Sequence, residues 1–424
     1  MKIILNIILF FSAIFAFGNN NFNNYFIEKT MRFDFLLAGN YENTQVFLEQ
    51  IKQEPYWGGS QVNLIDKFNY GSYKYLVYDL EENKLIYSRG FCSLFQEWQA
   101  TDEAKKVKRG FYETIIFPFP KNKIRVEIQS RDRKNIFSKI FEIIIDPKDY
   151  FIKKENPKKY NYFKVVDSGN PATKVDIAFI PDGYSKNDMD KFKKDAERFS
   201  NYLFNCSPFK ENKNKFNIWA IEAVSQESGI DIPGDSVWKN TVLNSSFYTF
   251  DSERYLTTFD IKTVRDIAAN VPYDQIFILV NSEKYGGGGV YNYYSESSSD
   301  NIFAEYVICH EFGHSFAGLG DEYYDSQVSV VDYYDISVEP WEPNLTSLVN
   351  FGSKWKSMVS DGIPVPTPND VKYINNIGAF EGGGYMSKGL YRPMKDCTMK
   401  SIKVDAFCPV CRKAIYDMIQ FYTE

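Results

Sequence analysis

The sequence predicts an α+β fold, in which an N-terminal β-sandwich is followed by a domain of mixed strands and helices. Three observations favour it: short strand patterns recur up to about residue 146, a stretch rich in lysine and proline follows, and strand and helix patterns then alternate. The chain has 424 residues, of which 17% are aromatic, and this is enough apolar material for two buried cores. We therefore expect a chain that is folded through both domains.

The N-terminal domain is predicted over residues 19–150, from apolar side chains at every second position. Phe33, Phe35 and Leu37 form the first of these runs. The other predicted strands are 73–77, 84–87, 111–117, 124–128 and 139–145. A helical pattern over 96–106 interrupts the series. Evenly spaced short strands of this kind are typical of a β-sandwich.

The second domain is predicted over residues 155–424, because lysine and proline are enriched between 146 and 159 and the apolar period changes after that stretch. Strand patterns and amphipathic helix patterns then alternate, which indicates an α/β layer. The predicted strands are 175–180, 216–224 and 275–280, and the predicted helices are 187–204 and 263–270.

The first 18 residues resemble a secretory signal peptide. Lys2 precedes an apolar run over 3–17, and Ala16 and Gly18 provide the small residues that a signal peptidase requires. The run is too short to span a bilayer comfortably, so no transmembrane segment is expected in the mature chain. We expect cleavage after Gly18 and a protein that is secreted, periplasmic or on the cell surface.

The charge balance excludes some classes of partner. The formal net charge is −6 and the isoelectric point is about 5.4, so neither nucleic acid nor an anionic membrane is an expected partner.

The two histidines of the chain stand four residues apart, in the sequence His310-Glu311-Phe312-Gly313-His314. On a helix this spacing places both imidazoles on one face, where they can bind the same Zn²⁺ ion. Glu311 is offset around the helix and can take the proton of the attacking water. Ser299 and Asp300 are expected to cap this helix, and Gly318 is expected to end it. The pattern is the H-E-x-x-H signature of zinc peptidases.

A catalytic zinc ion usually has three protein ligands, so a third ligand is needed. In the metzincin pattern H-E-x-x-H-x-x-G-x-x-H, the glycine and the last ligand would fall at Ala317 and Gly320. Here a glycine and an acid each come one residue later, at Gly318 and Asp321. We expect Asp321 to be the third ligand, and Glu322 is the alternative.

At this point the sequence resembles the IgA-peptidase family of secreted zinc metallopeptidases, a metzincin-like group. The segments that carry the resemblance are HEFGHSFAGLGDEY at 310–323, GFCSLFQEWQ at 90–99, FPFP at 117–120, FIPDGY at 179–184, YRP at 391–393 and CTM at 397–399. The resemblance implies an N-terminal β-sandwich, a zincin α/β catalytic domain and endopeptidase activity. It also implies a methionine turn under the metal site, formed by Met399 or alternatively by Met394. Met399 could instead be an ordinary methionine of the hydrophobic core.

Three of the six cysteines, Cys397, Cys408 and Cys411, lie near the C-terminus. Cys408-Pro409-Val410-Cys411 can be read as a redox motif or as half of a structural zinc site, but no second C-x-x-C accompanies it. An exported chain favours a disulfide from Cys397 to Cys408 or Cys411. Cys309, next to His310, is expected to be a buried small hydrophobe.

The glycine run 286–289 has two readings. It is either a flexible turn that leads into an edge strand over 290–294, which would pair with an extended substrate, or an ordinary glycine-rich hairpin.

Together these observations predict a secreted zinc endopeptidase that acts on protein or peptide substrates. Tyr323 and the tyrosines within 291–294 are candidate donors to the oxyanion. One alternative is an exported glycan- or protein-binding protein with an inactive zincin domain, and another is a metal-dependent hydrolase of a non-peptide bond. The intact Glu311 favours the peptidase.

Overall fold

The structure is a computed structural model that describes residues 21–154, 158–324, 334–402 and 406–424. The predicted signal peptide over 1–18 lies outside the described residues, and so does the part of the predicted boundary at 155–157. The fold is α+β, with a strand-rich N-terminal region. Among the described residues, no helix is both long and apolar enough to cross a membrane.

The N-terminal region contains two antiparallel sheets, with strand orders β2-β1-β5 and β4-β3-β6-β7. Its elements are α1 (Phe22–Tyr25), β1 (Phe26–Gly39), β2 (Thr44–Glu54), β3 (Tyr73–Asp79), β4 (Lys84–Phe91), α2 (Leu94–Gln99), β5 (Arg109–Pro120), β6 (Ile124–Arg131) and β7 (Phe137–Ile145). The predicted strands are confirmed. The helix predicted over 96–106 is shorter and lies nearer the N-terminus. It begins at Leu94, because Ser93 caps α2 by accepting a hydrogen bond from Phe95 N, and it ends at Gln99, after which the chain turns.

The two sheets face each other across aromatic side chains. The ring centres of Phe33 on β1 and Phe141 on β7 are 5.9 Å apart, and those of Tyr75 on β3 and Phe117 on β5 are 6.4 Å apart. The alternation of apolar residues in the sequence therefore has a direct cause, since one face of each sheet is turned towards this shared core.

The C-terminal region is built on a six-stranded sheet with the order β12-β13-β11-β9-β10-β8. Its central strands β10, β9, β11 and β13 are parallel, and the edge strands β8 and β12 are antiparallel to their neighbours. The elements are β8 (Tyr162–Val166), β9 (Val175–Asp182), α3 (Met189–Asn205), β10 (Phe216–Ile221), α4 (Ile261–Ala268), β11 (Gln275–Val280), β12 (Gly287–Val290), β13 (Tyr294–Ser298), α5 (Ala304–Ala317), β14 (Phe380–Gly383), β15 (Met386–Arg392) and α6 (Pro409–Thr423). The strands and helices predicted here are confirmed, with shifts of a few residues at their ends.

The structure of the glycine run 286–289 differs from both predictions, a flexible turn before an edge strand and a glycine-rich hairpin. Three of its glycines form the edge strand β12 itself, and the turn lies at 291–293. The cause is close packing against α5: a Cβ at Gly289 would lie 2.2 Å from the carbonyl oxygen of Glu311. The glycines therefore let the helix approach the edge of the sheet.

A buried charge network joins the two regions. Arg32 on β1 is fully buried and contacts Asp34 at 2.7 Å and Glu54 at 3.4 Å within its own region. It also contacts Asp266 on α4 at 2.7 Å, and Lys52 reaches the same carboxylate at 2.8 Å. A buried guanidinium requires such partners because an unpaired charge is costly to bury.

Candidate active site

Helix α5 carries the paired histidines. The sequence predicted its C-terminal end correctly but not its N-terminal end. It begins at Ala304 rather than after Ser299 and Asp300. The predicted cap is wrong because Asp300 forms ion pairs with Lys191 (3.0 Å) and Arg198 (3.8 Å) on α3. The predicted end is confirmed: Gly318 has a φ of 63°, in the left-handed region that glycine adopts without strain.

Three donor atoms converge where α5 ends. His310 Nε2 and His314 Nε2 lie 3.1 Å apart, and Asp321 Oδ1 is 3.1 Å from the first and 3.3 Å from the second. Three ligands held about 2.0 Å from one tetrahedral zinc ion are about 3.3 Å apart, so these residues could hold such an ion. Asp321 Oδ1 is buried and receives no hydrogen bond of good geometry, which leaves it available to a cation.

The far side of each imidazole is fixed by a backbone carbonyl. His310 Nδ1 is 3.0 Å from Thr398 O, and His314 Nδ1 is 2.6 Å from Leu319 O. A carbonyl oxygen can only accept, so each Nδ1 carries a hydrogen and each Nε2 faces the shared point. Tyr306 Oη also donates to Thr398 O, at 3.0 Å. Such partners orient the rings towards a metal.

Tyr385 fixes the carboxylate. Its hydroxyl donates to Asp321 Oδ2, so one oxygen of Asp321 is held by the protein while the other faces the histidines. The sequence offered no signal for this residue beyond its place in a glycine-rich hairpin. Its role depends on the turn between β14 and β15, which brings a residue 64 positions away onto Asp321.

Asp321 and His314 shift the pKa of each other. Burial alone raises the pKa of Asp321, but the His314 and His310 contacts hold that pKa well below its usual range. Burial lowers the pKa of His314, yet the Asp321 carboxylate raises it, to about 9. A metal ion that binds the imidazoles must displace their protons, so metal affinity falls in acid.

Glu311 is close to these donors but outside their triangle. It lines the same cleft as His310 and His314, and its side chain packs near Gly287 of β12. Burial raises the pKa of Glu311, while the charges of the two histidines act to lower it. A carboxylate whose pKa is raised in this way is better suited to accept and release a proton at neutral pH.

The cleft has a volume of about 1390 Å³ and is built from both regions of the chain. The N-terminal region contributes Glu97 on α2, whose Oε2 accepts a hydrogen bond from Tyr255 Oη at 2.5 Å. Burial raises the pKa of Glu97 to about 7. Sequence reasoning did not single out Glu97, although it lies in the segment 90–99 that carried the family resemblance.

The tyrosines proposed as oxyanion donors differ in position. Tyr323 lines the cleft and its ring lies parallel to that of His310, with 6.3 Å between the centres. Tyr291 also lines the cleft, whereas Tyr294 is engaged elsewhere because its hydroxyl donates to Thr258 O at 2.8 Å. Arg254, which sequence reasoning missed, lines the cleft beside Tyr323, with its guanidinium 5.8 Å from that ring.

Met399 packs directly beneath the histidine helix. A Cβ at Gly313, between the two histidines, would lie 3.1 Å from Met399 Sδ. Met399 O also accepts a hydrogen bond from Glu322 N at 2.8 Å. Met399 is fully buried, whereas Met394 is only partly buried.

Glu322 is turned away from the histidines. Its Oε1 accepts hydrogen bonds from Asn344 Nδ2 (3.0 Å) and Cys411 Sγ (3.2 Å). The predicted disulfide is wrong: none of the six cysteines forms a disulfide, and Cys397 Sγ lies 3.8 Å from Cys411 Sγ. Cys309 is buried, as predicted.

Two known protein families match the chain. The family described as IgA Peptidase M64 matches residues 163–375 and 369–419. The family described as Peptidase M64 N-terminus matches residues 21–142, which contain both N-terminal sheets except the end of β7. No curated protein matches the chain.

Proposed function

Since the chain belongs to the IgA Peptidase M64 family and is therefore a peptidase, we propose that it is an exported zinc-dependent endopeptidase. The observation that carries this proposal is the triangle of His310, His314 and Asp321 donor atoms, with edges of 3.1 to 3.3 Å, beside Glu311 in a large cleft. Three protein donors and an open side are what a catalytic zinc site needs.

We assign the three donors to zinc and Glu311 to proton transfer. When bound, zinc lowers the pKa of a coordinated water and polarises the scissile carbonyl. Glu311 accepts the proton of the attacking water and passes it to the leaving amine. Thr398 O, Leu319 O and Tyr385 Oη keep the three donors in place by the contacts described above.

The cleft supports a polypeptide substrate. Its volume of about 1390 Å³ exceeds that of a site for a drug-sized molecule. Strand β12 lines the cleft and is the edge of its sheet, which supports the strand-pairing reading of the glycine run. Leu256 N is 3.4 Å from Gly287 O, so pairing with a substrate would be confined to residues 288–290.

For the oxyanion we propose Tyr323 or Arg254, since both line the cleft, Tyr323 lies beside His310, and Arg254 lies beside Tyr323. We also propose Met399 as the residue of the methionine turn, because it packs against Gly313 between the two histidines.

We further propose a zincin-like catalytic domain over 155–424 and a β-sandwich domain over 19–150. The facing aromatic sheets support the second assignment. Lys153 still pairs with β2, through Lys153 N to Ile51 O (3.0 Å) and Gln53 N to Lys153 O (2.8 Å), which supports a boundary just beyond it. Limited proteolysis should cut near 155, and cutting concentrated inside 111–145 would contradict this boundary.

The direct test of function is Glu311→Gln in the mature chain, with Glu305→Gln as the matched control. Glu305 is on the same helix but is exposed. The first variant should keep its zinc and lose roughly 10²- to 10⁴-fold in turnover, because an amide cannot accept the proton. The control should match the wild type.

A digest of a proteome-derived peptide library provides the assay. New termini inside peptides with blocked ends would establish endopeptidase activity. If the wild type cleaves nothing while retaining zinc, the binding-protein alternative is favoured. If Glu311→Gln turns over normally, Glu311 is not the base.

A further inference from the structure

The three C-terminal cysteines and Glu322 form a second cluster of potential metal ligands, away from the cleft. The donor atoms of Glu322, Cys397, Cys408 and Cys411 all lie within 4.8 Å of one another. All four residues are buried, and none of them lines the cleft. Cys397 lies in the segment that follows β15, Cys408 and Cys411 lie at the start of α6, and Glu322 follows Asp321.

The distances fit one tetrahedral ion. Zn–S bonds of about 2.3 Å place two thiolates about 3.8 Å apart, and a thiolate about 3.5 Å from a carboxylate oxygen. Cys397 Sγ and Cys411 Sγ are 3.8 Å apart, and Cys411 Sγ is 3.2 Å from Glu322 Oε1. A multi-iron cluster spreads its thiolates around several metal atoms, so this tighter grouping favours a single ion.

Backbone amides point at two of the sulfur atoms. Cys408 N donates to Cys397 Sγ at 3.2 Å, and Cys411 N donates to Cys408 Sγ at 3.5 Å. Cys408 is the N-cap of α6, so its sulfur also lies at the positive end of the helix. Both features stabilise thiolates, which are the form of cysteine that binds metal.

Glu322 provides an independent observation. The residue is fully buried, and its Oε2 has no hydrogen-bond partner. Asn344 Nδ2 and Cys411 Sγ occupy only Oε1. A network of neutral thiols that merely hydrogen-bonded to this carboxylate would leave Oε2 unsatisfied in the interior, which is costly. A cation held between the three sulfur atoms and Oε1 would also lie close to Oε2 of the same carboxylate, and its charge would offset that cost.

We propose that Glu322, Cys397, Cys408 and Cys411 bind a second zinc ion, which is structural. Four protein ligands close the coordination sphere, and none of the four is exposed enough to admit substrate. Thiolate-rich donors favour zinc over magnesium or calcium.

The second ion would position the residues of the cleft from two sides. Cys397 precedes Thr398, whose carbonyl oxygen holds His310 Nδ1 at 3.0 Å. Glu322 follows Asp321, which faces both histidines. The proposed ion therefore ties together the two chain segments that orient the first site, and its ligands are positioning residues rather than catalytic ones.

Metal analysis of the purified mature chain tests the proposal without relying on activity. The wild type should contain two zinc ions per chain, and His314→Ala should contain one. Cys411→Ala should lose the second ion, while Cys206→Ala, which removes a buried cysteine from outside the cluster, should retain both. Because His314→Ala lacks the first site, its remaining zinc reports on the cysteines alone, even if the proposed peptidase function is wrong.

Cobalt substitution provides a readout that requires no cysteine variant to fold. Co²⁺ bound by thiolates shows intense sulfur-to-metal charge-transfer absorption, whereas a site of two histidines and an aspartate has no sulfur. His314→Ala loaded with Co²⁺ should show this absorption. Its absence, a metal-free His314→Ala protein, or a disulfide among Cys397, Cys408 and Cys411 after alkylation and mass analysis would each overturn the proposal.

Discussion

Two clusters of potential metal ligands meet at one peptide bond, between Asp321 and Glu322, and their surroundings differ. Asp321 turns to His310 and His314 at the wall of a large cleft, whereas Glu322 turns to three cysteines in the interior. The first cluster has three donors and an open side, and the second has four and none. If both proposals hold, one glycine-punctuated turn supplies a carboxylate to the catalytic site and the next carboxylate to a structural site that supports it.

The two neighbouring acids also differ in the direction of their pKa shifts. Burial raises the pKa of both, but for Asp321 the charges of the histidines reverse the shift and hold the pKa well below its usual range. For Glu322 burial and the neighbouring Cys397 raise the pKa well above its usual range, against the hydrogen bonds from Asn344 and Cys411. The surroundings, rather than the position in sequence, set the proton affinity of each acid.

The largest expected effect separates the two acids by activity. Asp321→Ala should lose the zinc of the cleft and about 10³-fold or more in kcat/KM, equivalent to about 4 kcal/mol, because two histidines alone hold zinc poorly. Glu322→Ala should retain that zinc and lose less activity. If Glu322→Ala loses the cleft zinc while Asp321→Ala keeps it, the assignment of the third ligand is reversed.

The second effect is on stability. Cys411→Ala should lower the free energy of unfolding by about 3 kcal/mol or more, because the proposed structural ion and a buried contact would be lost together. Denaturant unfolding with and without a chelator measures this. Cys206→Ala is the control and should change by less than half as much. Equal decreases in the free energy of unfolding of the two variants would mean that Cys411 contributes only through its packing in the core.

A smaller effect is expected when one hydrogen bond to Asp321 is removed. Tyr385→Phe keeps the ring but not the hydroxyl that donates to Asp321 Oδ2. Zinc affinity of the cleft should fall roughly 10-fold, since partners of metal ligands contribute on that scale. Competition with a coloured chelator measures the affinity. An unchanged dissociation constant would show that Asp321 is held by other contacts.

The smallest expected effect is on the stability contributed by Asp266, a carboxylate outside both clusters. It serves as a reference for the two acids that are proposed to bind zinc. Burial raises the pKa of Asp266, but Arg32 and Lys52 lower it from 3.8 to about 2. Its contribution to stability is therefore present above about pH 4 and is lost as the pH falls through about 2. After allowance for solvent screening of this partly exposed group, the contribution is about 1 kcal/mol.

Asp266→Asn tests this reference by acid unfolding. The difference in stability between wild type and variant should be constant near neutral pH and should shrink below about pH 4. A difference that grows in acid would contradict the sign of the shift. Metal content should be unchanged, since Asp266 lies in neither cluster.

The sequence was informative where a residue's partner lies nearby in the chain. Alternation predicted most strands of the N-terminal sheets, and the four-residue spacing predicted that His310 and His314 share one helix face. Strand β2 was missed because it is mostly exposed or half-buried, so its apolar residues do not alternate clearly. The predicted cap at Asp300 failed because distant Lys191 competes for the carboxylate.

The parts of the site that sequence reasoning missed depend on long-range contacts. Tyr385 reaches Asp321 only because β14 and β15 form a hairpin there. The disulfide expected at Cys397 is absent, and Glu322, far away in the chain, lies beside the three cysteines only because of the folded turn after α5. The sequence spacing of Cys408 and Cys411 showed one C-x-x-C pair, and no second pair was present to complete a zinc site of that kind.

We propose that Asp321 and Glu322 bind two separate zinc ions. Diffraction from crystals of the purified mature protein, measured on both sides of the zinc absorption edge, can locate each ion. Two anomalous peaks are expected, one among His310, His314 and Asp321 and one among Glu322 and the three cysteines. A single peak at the histidines, or a sulfur–sulfur bond within the cysteine cluster, would contradict this proposal.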